Sequence, residues 1–96
     1  MSVKLRMTHT TRAVLRVLLE ADPHPTFGTI IREATGLSTG TLYPILERLE
    51  FRGAATSQWE DVAEMEKEPG RPRRRYYSLT DAGRSLARDA EKTGAL

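Results

Sequence analysis

Two apolar stripes, each with the repeat of a helix and separated by only a short turn, set the strongest limit on how this chain can fold. Phe27, Ile30, Ile31 and Ala34 form the first, and Leu42, Ile45, Leu46 and Leu49 the second, at the spacing of one buried helix face. Thr26 can cap the first of these helices. Thr35-Gly36-Leu37-Ser38 leaves room only for a tight turn. Gly36 suits the left-handed residue that closes a helix, Leu37 can dip into the core, and Ser38 can cap the helix that follows, which runs to about Arg52 and stops at Gly53. Two helices joined in this way make a helix-turn-helix signature.

The flanking segments extend that pair. Upstream, Thr8, Thr10 or Thr11 can cap a helix whose Val14, Leu15, Val17, Leu18 and Ala21 make an apolar face before Asp22-Pro23-His24-Pro25 ends it. Downstream, the period changes from that of a helix to that of a strand. AATSQWED (54–61) and RRRYYSLT (73–80) are rich in Thr, Trp and Tyr and read as a hairpin, with Arg73, Arg75, Tyr77 and Leu79 on one face and Arg74, Tyr76 and Ser78 on the other. Thr80 can cap a last helix over 80–93, with Asp81 in its first turn and Leu86, Ala87 and Ala90 on one side, fraying toward Gly94. The expected fold is mainly α with a small β-hairpin: helix, helix, helix, hairpin, helix, the order of a winged helix-turn-helix. At 96 residues the chain supports one domain, over 1–96.

The third helix carries a breaker. Pro44 falls inside the stripe that begins at Leu42, and an interior proline removes a hydrogen bond and presses on the carbonyl four residues earlier. That carbonyl belongs to Gly40, whose backbone yields most cheaply, and both residues lie on the outer face opposite the stripe. Pro44 can be a tolerated kink. It can also belong to a side-chain-poor start, Ser38-Thr39-Gly40-Thr41, that approaches a phosphate backbone or base edges closely, flanked by Tyr43 and Arg48. The hydroxyls of Ser38, Thr39 and Thr41 serve phosphates and bases alike, so they position more surely than they specify.

Charge is unevenly laid out. Residues 53–68 hold one Lys against five acids, and residues 69–96 hold seven basic residues against three acids. Arg71, Arg73, Arg74 and Arg75 cluster around Pro72 at the wing, where a minor groove or flanking phosphates would lie. The acidic run of Glu60, Asp61, Glu64, Glu66 and Glu68 would be repelled by DNA. It either folds back onto Arg73–Arg75 or forms a short helical turn facing solvent, and the residues alone leave both open. Trp59 and Tyr77 read as hairpin or core packing rather than base-stacking groups.

Other classes are excluded on inventory. The chain has no cysteine, hence no disulfide scaffold, thiolate metal site or cysteine nucleophile. Its two histidines, His9 and His24, have no carboxylate spaced to complete a metal set or a catalytic pair, so neither an enzyme nor a cofactor is expected. No apolar run approaches the roughly 18 residues of a membrane span, MSVKLRM lacks a signal-peptide core, and a cytoplasmic protein with no membrane partner is expected.

LYPILERLEFRG (42–53), then Trp59, then GRPRRRYYSLTDAGR (70–84), resembles the PadR family of bacterial winged-helix transcription regulators. The resemblance runs from the first helix to the start of the last. It implies a homodimer on double-stranded DNA, at an inverted-repeat operator and usually as a repressor, with the third helix in the major groove and the wing alongside. Those roles fall on Ser38, Thr39, Thr41, Tyr43 and Pro44, with Arg48 beside them, and on Arg71, Arg73, Arg74 and Arg75. Family members generally dimerise through a longer C-terminal helix, so a dimer here is expected to use the first helix with a short last helix, or exchanged tails. A small-molecule effector is not expected. The alternative is a winged helix that binds a protein partner without touching DNA.

Overall fold

The computed structural model describes residues 7–93; the reading of the first six residues and the fraying placed toward Gly94 lie outside them. α1 (His9–Ala21) starts at Thr8, whose Oγ1 accepts the Thr11 amide at 3.2 Å, so of the three candidate threonines it is Thr8 that caps. Val14, Leu15 and Leu18 face the core, with Val17 packed at its margin.

The second helix departs from expectation at its start. Thr26 and Phe27 form a short strand, β1 (Thr26–Phe27), and α2 (Gly28–Thr35) begins after it with no side-chain cap. Because the sheet claims these two residues, only Ile31 of the expected stripe is buried, with Phe27 half-buried, while Ile30 and Ala34 face solvent. Gly36 closes α2 with φ of 75°, and its amide reaches the Arg32 carbonyl at 2.7 Å. Thr35 Oγ1 braces the turn, donating to the Ile31 carbonyl at 2.8 Å and accepting the Leu37 amide at 3.3 Å.

α3 (Thr39–Phe51) buries Leu42, Ile45, Leu46 and Leu49, as the periodicity predicts, and leaves Gly40 and Pro44 outside. Each such buried side chain stabilises the fold by roughly 1.5–3 kcal/mol relative to exposure. Ser38 stands at the cap position, but its hydroxyl bonds to no helix amide; it lies 3.3 Å from Thr41 Oγ1 instead.

β2 (Ala55–Trp59) and β3 (Arg75–Leu79) form the wing's ladder, with Ala55 opposite Leu79 and Trp59 opposite Arg75. Where the sequence suggests a two-stranded hairpin, the sheet has three antiparallel strands in the order β1-β3-β2, since Phe27 pairs with Tyr76 and Thr26 with Tyr77. Between β2 and β3 the acidic segment makes a single turn, α4 (Val62–Met65). α5 (Asp81–Thr93) follows Thr80, which accepts the Gly83 amide at 3.1 Å and donates to the Gly53 carbonyl at 2.6 Å. A Cβ at Gly83 would overlap the Ala54 carbonyl, so α5 can lie this close to the end of α3 only with glycine there. Arg84 then ties α5 to the chain after α1, donating to the Leu79 carbonyl at 2.9 Å and to Asp22 at 3.2 Å. The product is a winged helix-turn-helix around one core drawn from α1, α2, α3, the sheet and α5.

Candidate nucleic-acid interface

The outer side of α3 is held in place from below. Its four buried aliphatic residues fix the helix axis, so Thr39, Thr41, Tyr43, Pro44, Glu47 and Arg48 all emerge into solvent from a rigid support. The side chains of Thr39 and Arg48 make no hydrogen bond or ion pair among the described residues, and those of Ser38 and Thr41 bond only to each other. A helix start of this kind presents free amides and the positive end of the dipole to an anion. Tyr43 leans toward α2, where its hydroxyl occupies the space a Cβ at Gly28 would need. Gly28 has no signature in the sequence, since a glycine that opens a helix carries no local sign of what crosses above it.

Across from Tyr43 stands the wing. A groove of about 830 Å³ runs between α2, α3 and the sheet, and Tyr43, Arg71, Arg73, Arg74 and Arg75 all line it. The helix and the arginine run therefore share one side of the molecule. Ser38, Thr39, Thr41, Pro44 and Arg48 lie on α3 outside this groove's walls.

The arginines are not loose. Arg75 Nε donates to Ser57 Oγ at 3.0 Å, and Ser57 Oγ donates to Glu50 at 2.7 Å, so a carboxylate of α3 is linked to the wing. Arg73 and Arg75 both lie against the Trp59 ring, 5.7 and 5.2 Å from its centre, and Arg74 lies 4.2 Å from the centre of Phe27. Such cation–π contacts hold a guanidinium flat while leaving its rim free to bond. Phe27 meets Tyr76 edge to face at 5.4 Å, which carries β1 into the same surface. Trp59 is 51% exposed, so its packing is on the hairpin and with the arginines, not in the core. Burial pushes the Tyr77 phenol up from its usual range.

Arg71 has a different fate. Its two terminal nitrogens clasp Glu60, at 3.0 and 2.7 Å, and its Nε bonds to Glu68. Glu60 is 4% exposed, the one buried carboxylate among the described residues. The hydrogen bonds from Arg71 hold its carboxyl below the usual range against the opposing effect of burial, and those to Glu60 push the Arg71 guanidinium up. Of the two alternatives for the acidic segment, the solvent-facing turn is seen in α4, while Glu60 and Glu68 fold back chiefly onto Arg71, with only the Arg74 guanidinium of the Arg73–Arg75 run near a carboxylate of the segment, 3.9 Å from Glu68. In the sequence Glu60 reads as merely the first of five acids, and only its place at the end of β2, across from Arg74, sets it apart.

Among the described residues no group of His, Asp and Glu could hold a metal ion, and no helix is long and apolar enough to cross a membrane. The profile of the transcriptional regulator PadR-like family matches residues 17–89. Among solved structures, a PadR family transcription regulator from Clostridium difficile R20291 superposes with a TM-score of 0.72 at 19% identity, over 92% of this chain and 88% of that one. A PadR family transcriptional regulator from Eggerthella lenta DSM 2243 gives 0.65 at 28% identity over 85% and 70%. The smu.1704 protein of Streptococcus mutans UA159 gives 0.70 at 25% identity over 99% and 82%. No match was found among curated proteins.

Proposed function

The chain belongs to the PadR-like family of transcriptional regulators, and from that membership we propose that it is a repressor that occupies an inverted-repeat operator as a homodimer. In this reading α3 enters the major groove with Ser38, Thr39, Thr41, Tyr43, Pro44 and Arg48 at the DNA, and Arg73, Arg74 and Arg75 follow the flanking phosphates. Arg71 is assigned to holding the wing together, because its donors are spent on Glu60, Glu68 and the Pro72 carbonyl.

One observation carries the reading: Tyr43 of α3 and the arginines of the wing line the same groove, with Glu33, Glu47 and Glu50 among them, so helix and wing face one side of the molecule together. A second supports the dimer. α1, α2 and α5 leave a shallow trough in which Ala13, Val17, Ala34, Ala87 and Ala90 lie among charged residues of α1 and α5, a face that a second copy of the chain can cover.

The test is a titration of duplex DNA over a range of salt, with two chains bound per operator. Log affinity should fall steeply with log salt, and Arg73→Ala with Arg74→Ala should flatten the slope by about one unit for each phosphate that is no longer neutralised. Binding that ignores salt, or no binding to duplex at all, would transfer the function to a protein partner.

A further inference from the structure

We propose that Glu60 is a positioning residue for DNA contact: a buried carboxylate at the end of the wing's ladder, at the neck of its loop, that fixes the arginine run in the arrangement that meets the phosphates. The inference rests on the DNA-binding reading above.

A carboxylate beside an anion-binding surface ordinarily opposes binding. Glu60 is placed to do the reverse. Its Oε1 accepts from Arg71 Nη1 at 3.0 Å and from the Arg74 amide at 3.2 Å, and its Oε2 accepts from Arg71 Nη2 at 2.7 Å. Its own carbonyl accepts from Arg73 Nε at 3.0 Å, and its amide donates to the Arg74 carbonyl at 2.8 Å. A single residue thus engages three of the four clustered arginines.

The position explains why so many bonds converge there. β2 ends at Trp59 and β3 begins at Arg75, so residues 60–74 leave the ladder, and the Glu60–Arg74 backbone bond is its last continuation. The excursion between them contains only the one-turn α4 and no further strand pairing. What closes it is the clasp of Glu60 on Arg71, a two-pronged match of carboxylate to guanidinium that neither Asp nor Lys reproduces. Opened, the loop would let Arg73 and Arg74 swing freely, and ordering them on DNA would then cost conformational entropy at the moment of binding. The Glu60 charge itself is shielded by Arg71, so its loss removes little repulsion.

Two variants of the full chain separate position from charge. Glu60→Gln removes a negative charge and Arg71→Lys leaves the positive charge in place. Simple electrostatics therefore predicts tighter DNA binding for the first and no change for the second. Positioning predicts that both bind a mixed-sequence duplex more weakly, by about tenfold for Glu60→Gln, the scale of a missing charged hydrogen bond. It also predicts that the Arg74 amide exchanges hydrogen faster in the free protein and that Trp59 emission shifts, while the core amides of α3 keep their protection. Adding Glu60→Gln to a chain already carrying Arg73→Ala and Arg74→Ala should then cost little more affinity. Unchanged or tighter binding by Glu60→Gln, or an Arg74 amide that exchanges at the wild-type rate, overturns the proposal while the DNA reading stands. A wild-type chain that ignores the duplex at every salt concentration removes both.

Discussion

The outward side chains of Thr39, Thr41 and Arg48 on α3 make no hydrogen bond among the described residues beyond the one between Ser38 and Thr41, whereas in the wing every arginine is already engaged. The Thr39 and Arg48 side chains bond to nothing among the described residues, and those of Ser38 and Thr41 only to each other. Arg71, Arg73, Arg74 and Arg75 are each engaged by a carboxylate, a backbone carbonyl or an aromatic ring. The two regions therefore meet a ligand differently. Helix contacts add to what the free protein has, and the surrounding water is all they displace. Contacts by Arg74 and Arg75 exchange one acceptor for another, carboxylate for phosphate, so each adds less affinity than its positive charge alone implies. Discrimination is expected from the helix and salt dependence from the wing.

The largest effect tests the support on which the helix side depends. Leu46 is fully buried on the inner side of α3, and Leu46→Ala should lower stability by about 2–5 kcal/mol in urea unfolding through the cavity it leaves. DNA affinity per folded molecule should change far less. A change well under about 1 kcal/mol would mean that α3 is not anchored as its burial indicates.

Next comes the contrast itself. Thr41→Ala and Tyr43→Ala lie off the buried stripe, so stability should fall far less than for Leu46→Ala, while operator affinity falls by about 0.5–1.5 kcal/mol for each hydrogen bond removed. Because neither residue is charged, the salt slope should stay where it is. Mobility-shift titrations at several salt concentrations read both quantities. A changed slope for Tyr43→Ala, or normal affinity for both variants, would erase the division between helix and wing.

How much of this is legible in the sequence follows from the range of each interaction. The stripe of α3, the left-handed Gly36, the outward Pro44 and the alternation of Tyr77 and Leu79 all depend on neighbours within a turn or a strand, and all stand as the pattern indicates. β1 is not visible there because two residues cannot display a period and their partners, Tyr76 and Tyr77, lie far along the chain. With it goes the orientation of Ile30, which a helical wheel turns inward and the sheet turns out. Gly28 and Gly83 matter for what crosses over them, a tyrosine and a carbonyl, and no composition rule reports that. Phe51, 87% exposed at the end of α3, is an apolar residue whose exposure nothing in the fold explains. Glu60 and Glu68 look alike as letters. Their difference is tertiary, one sealed at the neck of the wing's loop and the other at its rim.

That difference yields the smallest and most discriminating effect. Glu68 is largely exposed; it touches Arg71 Nε and lies 3.9 Å from Arg74 Nη2. Exposed pairs of this kind hold weakly. Replacing Glu68 by Gln leaves Arg71 in the grip of Glu60, because both of its terminal nitrogens remain bonded there, and frees Arg74 to meet a phosphate without first surrendering a carboxylate. Glu68→Gln should therefore bind DNA roughly two- to fivefold more tightly, the range an exposed ion pair can contribute, with a slightly steeper salt slope. Opposite signs for the two glutamates would place the boundary between structural and competing acids within the wing itself. Weaker binding by Glu68→Gln would move that boundary outward, making the rim part of the clasp.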